Sequence, residues 1–213
     1  MSASMTYDSL ITDIPSYAER TSDTTFIAQV PRFVMLAENR IAAEARGLGF
    51  MRSVTDNLVP SQSFLAKPAR WRETYSLQIG TGSGNNTRVT LFLRALEYCR
   101  TYWPNPTVTG TPKYYADWDY QNWLLVPTPL SANPYELIYH ERPEPLDGTH
   151  QTNWTTEYAP QLLLYACLLE AQPFLKQDDR MKVFQQEYDR ALKQTEFEQR
   201  HRMIDRAAQA INA

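Results

Sequence analysis

Toward the end of the chain, apolar positions fall so densely that only a covered helix accommodates them. Across residues 158–175, Leu162, Leu163, Ala166, Leu169 and Phe174 recur at spacings of one, three and five, while Leu164, Tyr165 and Leu168 fill most of the remaining circumference. A helix apolar on nearly all sides must be buried on nearly all sides. At about 1.5 Å per residue it would run roughly 27 Å, long enough for a central core helix, with Pro173 interrupting it near its end. It is too short and too rich in tyrosine to span a membrane. The polar turn Lys176-Gln177-Asp178-Asp179 follows, with Asp178 placed to cap the next helix. From there Met181, Phe184, Tyr188, Ala191, Leu192 and Thr195 fall three or four apart, opposite a solvated face of Lys182, Gln185, Glu187, Arg190 and Lys193. The pattern predicts an antiparallel helical hairpin.

The front of the chain reads as helix broken by prolines: residues 6–11, a segment after Pro15, then 23–29 and 31–46, with Pro31 a kink or a fresh start. In the last of these Phe33, Leu36, Ala37, Arg40, Ile41 and Glu44 step at three and four, and Gly47 and Gly49 are expected to end the helix. From Phe50 the period changes to two. Residues 50–58 and 70–80 read as strands, 80–86 as an exposed glycine-rich loop, and Val89, Leu91 and Leu93 as one face of a returning strand in a long-looped hairpin. A short helix over 95–102 precedes three further strands at 112–118, 123–126 and 135–140. Helices thus flank strands in the chain. The expected fold class is α+β: a helical bundle formed by the N- and C-terminal helices with an inserted antiparallel β subdomain. The divisions are residues 1–49, 50–150 for the insert, 151–200 for the hairpin and 201–213 for a C-terminal tail.

At 213 residues the chain can bury a substantial core, and its net charge of -3, with no concentrated basic field, argues against an independent DNA-binding module. Cys99 and Cys167 stand apart in apolar contexts without neighbouring ligands, which favours reduced buried thiols and gives no metal or cofactor site. The first residues carry neither a basic segment nor an apolar run, so a secretory leader or membrane anchor is not expected. Gly80, Gly82 and Gly84 lead into a strand without the Lys-Ser/Thr that a phosphate loop needs. The best cluster of titratable groups is His140, Glu141, Glu144, Asp147 and His150. Prolines at 143 and 145 hold it on an extended segment, which reads as a linker more readily than as an acid-base or metal site. The alternative it leaves open is a carbohydrate- or cell-wall-active module using those acids and the aromatics that crowd residues 103–123.

Several stretches in order carry a resemblance. Pro31-Arg32-Phe33-Val34-Met35-Leu36-Ala37-Glu38-Asn39-Arg40-Ile41 contains Leu-Ala-Glu-x-Arg-Ile, and Pro112-Lys113-Tyr114-Tyr115 is similar to a Pro-Arg-Tyr-Tyr strand. Leu124 to Pro129, Tyr135 to Tyr139 and Arg142 to Leu146 lead into Thr152-Asn153-Trp154 and the leucine-rich helix. Together they resemble the head-to-tail adaptor proteins of tailed double-stranded DNA phages, over most of the chain. Ala66-Lys67-Pro68-Ala69-Arg70-Trp71 departs from the family's apolar strand opening and leaves the register of the first hairpin open.

The resemblance implies a non-enzymatic virion protein made in the host cytoplasm and placed in the neck between capsid and tail. Its implied partners are itself, as a closed and dodecameric ring, the portal protein and a downstream tail or nozzle protein, with DNA passing through non-specifically and no membrane. It also implies that the C-terminal segment reaches the portal, through Arg200, Arg202, Met203, Ile204, Arg206 and Ile211. Trp103, Tyr114, Trp118 and Trp123 are the residues expected at the contact between subunits, because large rings with polar tips supply buried area there.

Overall fold

A computed structural model of the protein describes residues 5–45, 48–80, 87–175 and 180–203. The chain opens with α1 (Tyr7–Tyr17) and α2 (Thr24–Glu44). It continues through β1 (Met51–Asn57), β2 (Phe64–Ala66), β3 (Trp71–Ile79), β4 (Val89–Thr90) and β5 (Phe92–Leu93) to the short α3 (Leu96–Tyr102). Then come β6 (Thr109–Gly110), β7 (Tyr114–Asp117), β8 (Asn122–Val126), β9 (Thr128–Pro129) and β10 (Pro134–Glu141), and finally α4 (Trp154–Tyr158), α5 (Pro160–Leu175) and α6 (Met181–Met203). The fold is α+β. It divides into two compact units, one drawn from the chain before Met51 and after Glu141, the other Met51–Glu141. Residues 142–150, grouped by sequence with the strands, therefore belong to the helical unit.

The helical unit is organised by α5, which buries Leu162, Leu163, Leu164, Ala166, Cys167, Leu168, Leu169, Ala171 and Gln172 on successive turns. Burial on every side requires cover on every side, and α1, α2, α4 and α6 all pack against it. Pro160 opens α5 at its first position, where no intrahelical N–H is needed, so the expected continuous helix from 158 is split from α4 at Ala159. Prolines break less than expected elsewhere. Pro15 and Pro31 lie inside α1 and α2, which each run as one helix, because the buried stripe of α2 continues from Phe26 and Val30 across Pro31 to Phe33 and Val34. The same stripe is rotated from its predicted face: Leu36 is exposed and Glu38 is buried. Asp23 caps α2 by accepting from the N–H groups of Thr25 and Phe26, at 3.1 and 3.0 Å.

The end of α2 differs from the glycine stop. Ala45 turns the backbone into an extended conformation, and Gly47 falls outside the described residues. Gly49 has another role: a Cβ there would overlap the Trp154 indole, which packs at 5.1 Å centroid distance on Phe50. The loop 81–86, Asp178 and Asp179 also fall outside the described residues.

The second unit holds two four-stranded sheets, ordered β1-β10-β3-β4 and β2-β8-β7-β5, and the small parallel pair β6-β9. Alternation places Tyr135, Leu137 and Tyr139 of β10 and Leu77 and Ile79 of β3 against Trp123 and Leu125 of β8, one core shared by both sheets. Alternate residues of the second sheet, Ala116 and Val126, face the other way and pack with Cys99 of α3. No β1–β3 hairpin exists, because β10 lies between them and pairs antiparallel with each. The hairpin β3–β4 is only two residue pairs long. After Leu91 the chain crosses to the other sheet, where β5 pairs parallel with β7, so Leu91 is buried while Val89 and Leu93 are exposed. The single face predicted for those three residues is replaced by a change of sheet.

Candidate assembly surfaces

Two short sequences singled out above meet inside the helical unit. Glu38 of α2 is buried, and its carboxylate accepts the Leu146 N–H at 3.2 and 3.3 Å and the Asn153 side-chain amide at 2.8 Å. Asn153 in turn caps α4, its Oδ1 accepting from Thr155 and Thr156 N–H at 3.0 and 3.2 Å. Burial pushes the Glu38 carboxyl up to about 7, against the opposing pull of its two hydrogen-bond donors. Nearby, Arg40 pairs with Glu170 of α5 at 2.6 Å, and the Tyr188 hydroxyl of α6 donates to Glu44 at 2.6 Å. The Leu-Ala-Glu-x-Arg-Ile and Thr-Asn-Trp stretches thus clasp the front of the chain to its rear.

The acids considered for catalysis are committed elsewhere. Glu141 pairs with Arg52 at 3.1 Å and Arg70 at 2.9 Å. Asp147 accepts from the Thr149 hydroxyl and N–H and the His150 N–H at 2.7, 2.7 and 2.8 Å, which together lower its pKa. Glu144 lies 3.8 Å from His150. His140 and Glu141 belong to the β unit and Glu144, Asp147 and His150 to the helical one. Among the described residues no group of three or more His, Cys, Asp or Glu could hold a metal ion.

The four aromatic residues expected at a subunit contact separate. Trp123 is 1% exposed and forms edge contacts with Trp71 and Tyr115, so its ring belongs to the sandwich core and is not offered to a neighbour. The buried Lys67 ammonium lies 4.3 Å from the Trp71 ring and 2.7 Å from Asp117, which accounts for the departure at residues 66–71. Trp103 is half-buried and donates from its indole N–H to the Val108 carbonyl at 2.8 Å. Tyr114 meets Tyr98 and Tyr102 edge-on, at 5.5 and 5.1 Å, while those two stack on each other. Trp118 is 38% exposed, between Phe64 and the Arg100 guanidinium, which stands 4.9 Å over its ring.

Trp103 and Trp118 line a groove of about 480 Å³ on the β unit. Tyr98, Tyr102, Arg94 and Arg100 were missed as surface residues. The signal was there: Tyr98 and Tyr102 are spaced four apart along the exposed face of α3, with Arg94 just ahead of its first turn. Of the residues expected to reach the portal, Arg200 is exposed, Arg202 and Met203 fall in the last turn of α6, and Ile204, Arg206 and Ile211 lie outside the described residues.

A clasped bundle around one apolar helix is thus joined in the chain to a sandwich that bears an aromatic groove. The chain matches the family model of the SU10 adaptor protein over residues 5–211, and it belongs to that family of phage structural adaptor proteins. No curated protein matches it. No helix among the described residues is long and apolar enough to cross a membrane.

Proposed function

We propose that the protein is a head-to-tail adaptor of the virion neck, whose copies close into a ring, dodecameric as the resemblance implies, between the portal and the tail or nozzle protein. The observation that carries this reading is the family match, which runs through both units and nearly the whole chain. Heterologous contacts close into rings when the rotation between copies allows it, and permanent contacts of this kind bury roughly 2,000–5,000 Å². Trp103, Tyr114 and Trp118 are the interface residues retained; Trp123 is not, being core.

DNA passes through the ring without base recognition, and the net charge of -3 suits a lumen that lets a duplex slide. The end of α6 and the residues after it dock on the portal: Arg200, Arg202 and Arg206 meet acidic groups there while Met203, Ile204 and Ile211 fill a groove. Light scattering of the isolated protein, with and without portal, tests the whole. A ring mass in the presence of portal is expected, and a monomer under both conditions overturns it. A chain ending at Gln199 should keep its helical circular dichroism and lose portal binding; retained binding overturns the docking role.

A further inference from the structure

A strand at the end of a sheet leaves the hydrogen-bonding groups of every second residue unused, and among the described residues the longest such edge is that of β1. Its direction is fixed by the Leu58 N–H, which donates to the Asn133 carbonyl at 2.9 Å, one step past the Asn57–Pro134 pair. Antiparallel pairing alternates, so Val54 and Asp56 bond toward β10 while Ser53 and Thr55 turn their N–H and C=O groups away from it. The far side of β10 agrees: the Pro134 carbonyl accepts the Gly80 N–H at 2.7 Å, in the direction of β3. Ser53, Thr55, Asp56 and Asn57 are exposed, and no strand among the described residues pairs with this edge. Its two ends are partly closed by side chains. The Asn57 N–H donates to Asp56 Oδ1 at 2.8 Å, and the Arg52 guanidinium lies 3.5 Å from the Met51 carbonyl. The open stretch is Ser53 to Thr55.

The side chains around that stretch select what fills it. Arg52-Ser53-Val54-Thr55-Asp56 sets a cation and an anion at equal distances from a central valine, with a hydroxyl residue on each side between. Laid antiparallel on a second copy of itself about Val54, the strand places Ser53 opposite Thr55, both with outward-turned groups, so these pairs exchange both their hydrogen bonds. Val54 then meets Val54, and Arg52 meets Asp56, in the pairs where side chains stand closest. A register moved by one residue would face outward groups with groups already spent on β10, and one moved by two would lose the charge match. The charges are available. Asp56 makes no ion pair among the described residues. Arg52 is 61% exposed and shares Glu141, at 3.1 Å, with Arg70, so that carboxylate does not fully match its guanidinium.

We propose that two free copies of the chain pair through β1, antiparallel about Val54, and join their β1-β10-β3-β4 sheets into one continuous sheet. The contact uses the same patch on both copies and closes on two. Neighbours in a larger ring are related by the ring's own rotation, so this pair forms between copies outside a ring and parts before they enter one. Until then it covers an edge that is otherwise open to the strands of other chains. The pairing goes beyond the ring reading and does not depend on it.

The test is sedimentation velocity of the full chain without portal. A contact of this size is weak, so a dimer that dissociates on dilution through the tens of micromolar is expected, and a monomer at about 100 µM overturns the pairing. Asp56→Arg and Arg52→Asp should each weaken the dimer at least about tenfold, whereas an equal mixture of the two variants restores both charge pairs and should dimerise like the natural chain. Thr55→Pro removes an outward N–H without touching the ladder to β10, and should give a folded monomer. A dimer that these three variants leave unchanged overturns the pairing. So does a monomeric natural chain whose Thr55→Pro variant fails to form rings with portal, which gives the edge to a neighbour in the ring. Rings formed with portal by a chain that is monomeric without it overturn the pairing and leave the ring reading standing; dimers that persist with portal and never form rings do the reverse.

Discussion

Glu38 is an acid at an apolar position of α2, and its environment sets a pH dependence. Its folded pKa, about 7, lies above the ordinary 4.5, so the folded bundle holds a proton that the unfolded chain releases. The stabilisation is complete below about pH 4.5 and is lost as the pH rises through 7, a change on the order of 3 kcal/mol. Glu38→Gln keeps an acceptor for Leu146 and Asn153 without the charge. Urea midpoints should therefore fall from pH 5 to pH 8 in the natural chain and much less in the variant; parallel curves would show that Glu38 does not titrate in this window. Gly49→Ala drives a methyl group into the Trp154 indole and should cost about 1–3 kcal/mol, with a shift in tryptophan emission. Trp123→Ala should cost about 3–5 kcal/mol of stability, and Trp118→Ala less than about 1, which thermal unfolding of the two variants will separate.

At the scale of elements, Asn153 does two jobs. It caps α4 with its oxygen and donates to Glu38 with its amide. Asn153→Ala should cost about 1–2 kcal/mol at pH 5 from the lost cap, and more at pH 8, where the Glu38 carboxylate also loses a donor. Asn153→Asp preserves the cap but sets a second carboxylate against Glu38, so its cost should grow from pH 5 to pH 8. Equal costs at both pH values would exclude the carboxylate pair. These pairings also explain what the linear chain concealed. The leucines of α5 signal burial by themselves, because a helix apolar all round admits one environment. Glu38 and Leu36 do not, because a rotation of the buried stripe by part of a turn exchanges them, and only the distant Leu146 and Asn153 decide it. The order of strands was similarly hidden: β10 comes between β1 and β3 although it follows both by many residues. Leu91 looked like one member of an alternating face because the change of sheet on either side of it leaves no local mark. For the surface, a count of aromatic rings could not separate Trp123, inside, from Trp118, outside.

At the scale of the whole molecule, the β unit occupies the chain between two halves of one bundle. During synthesis α1 and α2 leave the ribosome first, and the sandwich has all its strands once Glu141 is made. The bundle still lacks α5, whose leucines complete its core. A polypeptide released early therefore keeps the apolar flank of α2 bare, a target for chaperones and proteases, while a finished one hides it. Closure of the helical half thus waits on the last helices to be made, and a chain cut short before α5 is left with an incomplete core.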